Sequence, residues 1–552
     1  MTVSWSVHPA NRQQAQALAR ASHVHPITAQ LLLNRGVRDA LTARRFLSPD
    51  AGTLNDPFML PDMERAVARL RRAVTTREPI LLFGDADVDG LTATVILYEA
   101  LRSLGALVRV KLSNRIEDGY GLSTSTVTQI CRSSTRLLIL VDCGTNQAAE
   151  IARLAECRID TIVIDHHLPL ETLAKPLALL NPHRTTGRGR ELCSAGLALK
   201  VAQALWHDDP TDRLSAHFDL AALGTLADYV PLLGENRLIV TRGLPRIINS
   251  LRPGLSRLCE ATQTCEPTPE QVTRRLVPRL NAFGRLGDPT TAWHLLRETD
   301  DDRLEEWLAE AEQAHATTKQ LHRRIIGEAE EQINRLHFRD QFVLVVSRSG
   351  WHQGLMGPLA SQLTARYGRP AIAIAVEKHR GTGSGRSIPL CNLLELLKSC
   401  QGLLEQFGGH AQACGLTVHL KNLEPFRSLV NRQAQRSLGR EGLVRTRTLD
   451  LELSCLAIQP RWVEEAQRLA PFGPGNPRPS VLIRRVIMEQ KSSRTGWLTD
   501  GTRRVAARGT FPPVDSEARY DVAVSPTVSD GELILSVHEA KAASAPSGPA
   551  QT

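Results

Sequence analysis

Short apolar runs alternate with helix-like stretches in the first half of the chain. The apolar runs lie at 80–83, 137–141 and 161–164, and 107–112 alternates like a strand. The stretch 92–104 carries apolar residues at helical spacing and stops at Gly105, and 146–156 is also helical in pattern. Because buried strands that alternate with helices are typical of a parallel sheet, we predict an α/β domain here. Mostly helical segments are predicted before it, over 1–75, and after it, over 194–250.

The second half begins with a long polar pattern. Residues 301–336 are rich in Glu, Ala and Arg and contain no Pro, which predicts an exposed helix between two domains. A second α/β unit follows, with strands at 342–346 and 371–376, a Gly/Ser loop in GTGSGRS and a helix over 390–404. From about residue 446, alternating runs such as SVLIRRVIM, YDVAV and LILSVHEA predict a small β-barrel. The Ala/Ser/Pro/Gly-rich tail from Ala542 is predicted to be disordered.

The composition narrows the class of protein. A net charge of +9 favours a polyanionic partner, although charge governs association rather than fold. The ten cysteines form no CxxC pair, so we expect reduced thiols and neither a zinc ribbon nor a redox motif. The chain shows no N-terminal signal pattern and no apolar run of about 20 residues. We therefore expect a cytoplasmic protein that does not bind a membrane.

Acidic and histidine side chains follow the predicted strands. They are Asp85, Asp87 and Asp89 after the first strand, Asp142 after a later one, and Asp165, His166 and His167 after the next. A further acid, Asp228, would come from a helix end nearby. Parallel strands present their carboxyl ends at one edge of a sheet, where open α/β folds bind ligands. Clustered carboxylates repel one another unless a cation compensates, and this donor set suits Mn²⁺ or Mg²⁺ better than structural zinc.

Each piece also has an ordinary structural explanation. DADVDG resembles the start of an EF-hand loop, but Ile96 stands at the twelfth position, where that loop needs a bidentate acid. A strand also precedes it, where an EF-hand has a helix. Taken alone, Asp142 fits a helix N-cap, the His pair fits a structural role and Asp228 fits a turn. The joint arrangement on successive strand ends favours a common site.

Four motifs in this order resemble those of the DHH phosphoesterases: GDADVDG, VDCGTN, DHH and LGTLADYVPL. The segments NRIEDGYGLS and VPRLNAFGRLGDP resemble RecJ-type exonucleases in particular. WHQGLMG, SGRS and GGHAQACG are similar to the DHHA1 domain, and LAPFGPGNPRP to the start of an OB-type barrel. The resemblance covers almost the whole chain. Cys143, Phe283 and Cys414 depart from the family pattern without removing a proposed ligand.

The resemblance implies the roles of individual residues. It implies two divalent ions held by Asp87, Asp89, Asp142, His166 and Asp228, with Asp142 as the bridge. Asp85 would ligate or support a ligand, Asp165 would orient His166, and His167 completes the catalytic set. Candidates for binding nucleic acid and phosphate are Arg115, Arg279, Arg285, Ser384, Arg386 and His410. Trp351, Phe407 and Phe472 are candidate stacking surfaces, with core packing as the alternative for Phe407 and Phe472.

The implied architecture is α/β: a parallel-sheet DHH domain and a DHHA1 domain joined by a long helix, plus an OB-like barrel. The expected bounds are a helical segment (1–75), the DHH domain (76–250), a connecting region with the bridging helix (251–336), the DHHA1 domain (337–440), the barrel (446–541) and the tail (542–552).

The resemblance also implies an activity. We expect a 5′→3′ exonuclease that hydrolyses single-stranded DNA to 5′-mononucleotides in recombination and repair. Single-strand-binding protein and a RecQ-type helicase are the implied partners. Two alternatives stay open: a DHH–DHHA1 phosphodiesterase for short oligonucleotides or cyclic dinucleotides, and a non-catalytic DNA-binding scaffold. The retained ligands disfavour the scaffold, and the barrel disfavours an inorganic pyrophosphatase.

Overall fold

The structure, a computed structural model, describes most of the chain. The described residues are 4–48, 54–117, 119–170, 173–185, 190–207, 212–266, 268–336, 340–439, 443, 446–511, 518–529 and 531–543. The fold divides into two units: one combines Met1–Thr53, Pro231–Leu233 and Arg445–Thr552, and the other combines Leu54–Val230 and Gly234–Val444. Among the helices of the described ranges, none combines the length and apolar surface that a membrane span requires.

The N-terminal segment is mainly helical, as predicted. Its elements are β1 (Ser4–Val7), α1 (Arg12–Ser22), α2 (Pro26–Asn34), α3 (Ala40–Leu47) and α4 (Met63–Thr75). Side chains cap the helix starts, because Asn11 Oδ1 accepts from Gln14 N at 3.0 Å and Asp39 Oδ1 accepts from Thr42 N at 2.8 Å. Strand β1 was not predicted.

The predicted parallel sheet is confirmed. Its elements are β2 (Pro79–Gly84), α5 (Val88–Ser103), β3 (Leu107–Leu112), α6 (Thr124–Cys131), β4 (Leu137–Val141), α7 (Ala148–Glu156), β5 (Asp160–Ile164) and β6 (Ala178–Leu180). The strand order is β3-β2-β4-β5-β6, and every pairing is parallel. All five residues of β4 are buried, which explains its unbroken apolar sequence.

The expectation of reduced thiols is wrong for two of the ten cysteines. Cys131, at the end of α6, and Cys157, just after α7, form a disulfide with a Cα–Cα distance of 5.6 Å. The sequence places these residues 26 positions apart, and only the packing of the two helices on one face of the sheet brings the sulfur atoms together. The remaining eight cysteines are free.

A helical region follows the sheet. It comprises α8 (Ser194–Leu205), α9 (Phe218–Ala227), α10 (Gly234–Ile248), α11 (Pro253–Ala261), α12 (Pro269–Gln271), α13 (Val277–Leu286), α14 (Thr290–Leu295) and α15 (Asp301–Arg335). Helix α15 confirms the predicted long helix. Its residues Ala311, Ala314, Thr318 and Ile325 are buried at helical spacing, so one stripe is packed while most of the surface stays polar.

The second α/β unit contains β7 (Leu344–Ser349), α16 (Met356–Tyr367), β8 (Ala371–Glu377), β9 (Arg380–Arg386), α17 (Leu393–Lys398), β10 (Leu404–Gly409), β11 (Ala413–His419) and α18 (Leu423–Leu438). The order is β10-β11-β9-β8-β7, and among these pairings only β7–β8 is parallel. Two predictions are wrong here. GTGSGRS is not a loop but most of the central strand β9, and the helix predicted over 390–404 is limited to α17 and a short 3-10 turn.

The predicted barrel is confirmed as a closed sheet. Its elements are β12 (Thr446–Leu449), β13 (Leu451–Glu452), α19 (Pro460–Ala466), β14 (Val481–Ser492), β15 (Thr495–Thr499), β16 (Arg504–Gly509), β17 (Tyr520–Ser529) and β18 (Glu532–Ala542). Five strands close in the order β14-β15-β16-β18-β17 and back to β14. Most of the predicted tail, from residue 544, lies outside the described residues, and the predicted domain bounds stay predictions.

Strand β1 is built into the barrel unit. It pairs in parallel with β12, and Trp5 Nε1 donates to Glu539 at 3.0 Å. One apolar core joins residues of α1–α3, such as Leu31 and Phe46, with barrel residues such as Val481 and Leu535. Residues 4–48 therefore fold with the strands of the barrel.

Candidate metal centre

The carboxyl edge of the parallel sheet gathers the acidic residues, as predicted. Asp85 and Asp87 follow β2, Asp142 follows β4, Asp165 to His167 follow β5, and Asp228 ends α9. Asp142 adopts a left-handed backbone with φ of 63°, which is uncommon for a residue other than glycine. Its N–H donates to Ile164 O at 2.9 Å, and its carbonyl accepts from Tyr120 Oη at 3.0 Å. These two bonds hold the turn that carries the Asp142 side chain.

Three overlapping groups of donor atoms form at this edge. They are Asp85, Asp87 and Asp142; Asp89, His166 and Asp228; and Asp142, His166 and His167. Within each group the ligand atoms lie within 4.8 Å of one another. Asp142 and His166 each belong to two groups, so both stand where two adjacent cation positions would share ligands.

His166 lies among three carboxylates. Its Nε2 is 3.4 Å from Asp142 Oδ1, 3.5 Å from Asp228 Oδ2 and 3.7 Å from Asp89 Oδ2. Although burial opposes a positive imidazole, the charges of Asp228 and Asp142 raise the pKa of His166 well above its ordinary value. The imidazole is therefore surrounded by negative charge on three sides.

The amino end of α8 holds two of the carboxylates, which the sequence reasoning missed. The backbone N–H groups of Ser194 and Ala195 donate to the two oxygens of Asp89, each at 2.8 Å. Ser194 Oγ donates to Asp142 Oδ1, also at 2.8 Å. Anions are stabilised at helix N-termini, so α8 orients both acids. A serine before an apolar helical run is a start signal that could have drawn attention to this position.

A glycine in α9 makes room for the same acid. A Cβ on Gly224 would lie 2.5 Å from the Ala195 side chain and 2.9 Å from Asp89 Oδ1. Any larger residue there would push α9 away from α8 or displace the carboxylate. Close packing of the two helices around Asp89 therefore requires glycine at this position.

Asp165 orients His167, so the expectation that it orients His166 is wrong. Its Oδ1 lies 2.7 Å from His167 Nδ1 and accepts from the His167 backbone N–H at 3.1 Å. Its Oδ2 accepts from Thr145 N at 3.0 Å. The reason is local geometry, because the turn after β5 directs the carboxylate toward the second imidazole. Tyr120 Oη lies 2.9 Å from His167 Nδ1 as well, which joins Tyr120, His167 and Asp165 in one network.

Arg115 balances the first pair of acids. Its guanidinium contacts Asp85, and its Nη2 lies 2.8 Å from Asp87 Oδ2. Asp85 is fully buried and also accepts from Ser113 Oγ at 2.7 Å. Asp85 therefore has three donors from the 113–115 segment, whereas Asp87 is more open to a ligand.

Asp142 and Asp89 are repelled by neighbouring carboxylates. Burial and the neighbouring charges of Asp87 and Asp89 raise the pKa of Asp142 to about 8. Burial and the charge of Asp228 raise the pKa of Asp89 to about 6. Crowded carboxylates with raised pKa values are what divalent cations relieve, and hard oxygen donors with one or two imidazoles suit Mn²⁺ or Mg²⁺. The donor set therefore fits the predicted pair of ions.

A group of cationic side chains borders the acidic cluster. Burial and the charge of Arg115 lower the pKa values of both Arg285 and Arg386. Arg386 Nη1 donates to Ser384 Oγ at 3.0 Å and to Gly385 O at 2.9 Å. A Cβ on Gly357, in the first turn of α16, would lie 3.3 Å from Arg386 Nη2. A guanidinium, a hydroxyl and a helix amino end thus converge as they would around a phosphate.

His410 faces the same cluster from the hairpin of β10 and β11. Burial and the charges of His167 and Arg386 lower the pKa of the His410 imidazole. The second α/β unit therefore contributes Ser384, Arg386 and His410 on the side that faces the acids.

Arg279 is placed differently from the other predicted phosphate ligands. Its guanidinium contacts both carboxylate oxygens of Glu312 on α15, and its Nη1 donates to Arg275 O at 2.7 Å. An anion would have to displace Glu312 to reach it. Its role in phosphate binding stays a prediction, as do the roles of the other site residues.

The three predicted stacking residues are packed rather than exposed. Trp351 is 3% exposed and donates its Nε1 to Glu328 at 2.7 Å. Phe472 is 8% exposed in the barrel core, and Phe407 packs against the core of the second unit. Core packing, the alternative for Phe407 and Phe472, is the correct interpretation, and the expectation of an exposed Trp351 ring is wrong because the ring is buried.

Known proteins share both the fold and this arrangement of sequence. Family models match at residues 79–225 (DHH family, N-terminal domain) and 340–436 (DHHA1 domain). The single-stranded-DNA-specific exonuclease RecJ of Dickeya dadantii is 32% identical over 493 residues, which cover 84% of this chain and 84% of that protein. RecJ of Bacillus subtilis is 34% identical over 88% of this chain, and the match spans 62% of that relative's length. The crystal structure of Thermus thermophilus RecJ in complex with Mn²⁺ matches with a TM-score of 0.85 at 27% identity, covering 99% of this chain and 80% of that chain.

Proposed function

Because this chain belongs to the RecJ family of DHH phosphoesterases, we propose that it is a metal-dependent exonuclease that degrades single-stranded DNA from the 5′ end to 5′-mononucleotides. One observation carries the proposal: a cluster of buried acids and a cluster of partly buried arginines lie side by side. Acids alone would fit many metal-dependent hydrolases. The adjoining arginines provide a binding site for a second phosphate, next to the phosphodiester that would be hydrolysed.

Five side chains would hold two Mn²⁺ or Mg²⁺ ions: Asp87, Asp89, Asp142, His166 and Asp228. Such cations supply Lewis acidity, which acidifies water and offsets the charge of a phosphodiester. Asp142 and His166 each belong to two of the donor groups, and Asp142 is proposed as the shared ligand because a carboxylate has two ligand oxygens whereas an imidazole offers one nitrogen to the cluster. Ser194 and the amino end of α8 keep Asp142 and Asp89 in place, so little reorganisation is needed when substrate binds.

No covalent nucleophile is needed. Ser194 is fully buried, and its hydroxyl proton is donated to Asp142. That hydroxyl orients a ligand and is not free to attack phosphorus.

The arginine cluster would determine which bond is cleaved. Arg285, Arg386 and Ser384 would bind the terminal 5′ phosphate and leave the next phosphodiester beside the acids. Arg115 would stabilise negative charge between the two positions, since it already contacts Asp85 and Asp87. End dependence follows because a strand without an end cannot fill the first position. The barrel would extend binding along the strand without reading sequence.

The phosphodiesterase for cyclic dinucleotides or short oligonucleotides is the weaker candidate. Neither small substrate explains why the chain carries a five-stranded barrel or matches RecJ proteins along most of its length. The scaffold is weaker still, because every proposed ligand is present.

The proposed setting is the cytoplasm, in DNA recombination and repair. Single-strand-binding protein and a RecQ-type helicase are proposed partners, and family resemblance is their support. The Cys131–Cys157 disulfide is unusual for a reducing compartment, so thiol titration with and without reductant would test the proposed location.

Digestion of single-stranded DNA labelled at either end tests the activity. With Mn²⁺ or Mg²⁺, a 5′ label should leave at once as a mononucleotide, while a 3′-labelled strand should shorten stepwise. The Asp142→Asn variant is the matched control and should leave both strands intact. Release of the 3′ label first would refute the polarity, and equal digestion of blunt duplex would refute the strand selectivity.

A further inference from the structure

Aromatic side chains are almost all covered in this protein. Among the residues that the structure describes, only two aromatic side chains are exposed: Tyr120 at 49% and Tyr229 at 73%. Both lie at the acidic cluster, since Tyr120 bonds to the Asp142 carbonyl and Tyr229 directly follows Asp228. Exposed apolar residues scattered singly need no explanation, but this pair is confined to one place.

The exposure of Tyr120 has a structural explanation. Its hydroxyl donates to Asp142 O at 3.0 Å, and its ring stands edge-on to His167 at a centroid distance of 5.2 Å. The hydrogen bond from Tyr120 stabilises the backbone turn of Asp142, and this bond positions the Tyr120 ring.

No comparable contact explains the exposure of Tyr229. Its side chain makes no hydrogen bond, ion pair or aromatic contact with any residue in the described part of the chain. Its backbone is left-handed, with φ of 61°, and for a bulky residue this conformation is a genuine outlier. Strained residues of this kind gather at functional sites. This strained residue directly follows Asp228, and its ring is exposed to solvent without a partner in the described part of the chain.

We propose that Tyr229 is a stacking surface for a nucleobase of the strand whose phosphate lies at the acidic cluster. The proposal rests on the proposed function, because it requires a single-stranded nucleic acid there. Every base has a π-face, so one tyrosine ring serves all four bases and suits an enzyme that does not read sequence. Tyr229 directly follows Asp228, and consecutive Cα atoms are about 3.8 Å apart, so the ring starts from a backbone position next to the proposed ligand.

Substrates that lack one base test the proposal. A set of 5′-phosphorylated single strands carries one abasic residue at each of the first positions, and kcat/KM is measured for each strand with Mn²⁺. Stacking on an aromatic ring corresponds to roughly a 5- to 150-fold effect per base. Wild-type enzyme should therefore lose about that factor at one abasic position and much less at the others.

Two variants separate the ring from the backbone. Tyr229→Phe keeps the ring and should keep the abasic penalty. Tyr229→Asn removes the ring, tolerates the left-handed backbone, and should cleave intact and abasic strands equally at that position. Leu251→Asn is the control for an exposed apolar residue away from the cluster, since Leu251 is 92% exposed. It should behave as wild type.

Titration calorimetry with Mn²⁺ excludes an indirect effect through Asp228. Tyr229→Asn should bind Mn²⁺ as tightly as wild type. Weaker Mn²⁺ binding, or an abasic penalty that survives in Tyr229→Asn, would overturn the proposal. So would a wild-type enzyme that degrades single strands with no position sensitive to base removal, and the proposed exonuclease activity would then still stand. If wild type degrades no single-stranded DNA, the proposed function fails first and the stacking surface fails with it.

Discussion

Replacing Arg386 by lysine should selectively impair cleavage of 5′-phosphorylated DNA. The guanidinium is tethered through Nη1, which donates to Ser384 Oγ at 3.0 Å and to Gly385 O at 2.9 Å. Its second terminal nitrogen, Nη2, lies next to Gly357 at the amino end of α16 and is available to an anion. A lysine has one nitrogen, which cannot both hold the tether and reach the phosphate.

The magnitude follows from the number of bonds lost. Arg386→Lys should remove about one hydrogen bond to a charged group, worth about 1.5–3 kcal/mol. That free energy corresponds to roughly a 10- to 150-fold lower kcat/KM. Strands with a 5′ hydroxyl never use the contact, so their kcat/KM should change little.

The assay compares the two substrates in each protein. The ratio of kcat/KM on 5′-phosphorylated and 5′-hydroxyl strands should collapse in Arg386→Lys and persist in Arg380→Lys. Arg380 is a matched control because it begins the same strand, is 70% exposed and pairs with Glu405. An unchanged ratio in Arg386→Lys would show that this residue does not recognise the strand end, and Arg285 would become the better candidate.

Three further outcomes are expected. Asp142→Ala should retain less than about a tenth of the wild-type cleavage rate, a barrier increase above about 1.4 kcal/mol, while gel-shift binding of DNA persists; a higher rate would contradict its role as shared ligand. Ser194→Ala should weaken Mn²⁺ binding in calorimetry by about tenfold, because Asp142 loses a 2.8 Å hydrogen bond, and unchanged affinity would reject the positioning role of α8. Although burial opposes it, pairing with Arg252 lowers the pKa of Glu99 to about 2, so this stabilisation is complete above about pH 4.5 and is lost as the pH falls toward 2. Glu99→Gln should therefore show a shallower decline in the free energy of unfolding over that window, and parallel curves would contradict the assignment.

The parallel sheet was predictable because its signal is local. Strands β3 and β4 begin and end at the predicted residues. Burial on both faces explains the unbroken apolar run of β4, whereas β3 alternates between apolar and charged residues because it is only partly buried. The positions of the acids then follow from topology, because every strand of the sheet ends at the same edge. Seven of the predicted catalytic residues accordingly share the three donor groups.

Strand β9 was not predictable because its neighbours decide its structure. Glycine is rare in strands, so GTGSGRS is typical of a loop. In the sheet, however, a Cβ on Gly383 would lie 2.7 Å from the Ile374 side chain, and one on Gly385 would lie 2.7 Å from Leu393. The glycines are present because β9 lies under covering side chains, and that information resides in residues distant in sequence.

The sequence motifs predicted which residues form the site, but not which side chains hydrogen-bond to one another. DHH indicates two imidazoles, but only the turn after β5 determines that Asp165 bonds His167 and leaves His166 among the other carboxylates. No sequence motif points to Ser194, yet the packing of α8 brings it to Asp142. The partner of each polar side chain depends on helix placement, which hydrophobic periodicity does not encode.

The pairing of β1 with β12 has a consequence for synthesis on the ribosome. Trp5 and its partner Glu539 are 534 residues apart, so a ribosome that adds about 5–20 residues per second needs roughly half a minute to two minutes to connect them. During that interval the apolar faces of α1–α3 have emerged, while the barrel residues that cover them do not yet exist. Nascent chains should therefore engage a holding chaperone early and release it only after the barrel has been synthesised. Premature stop codons within the barrel should yield insoluble fragments even though all proposed catalytic residues have been made.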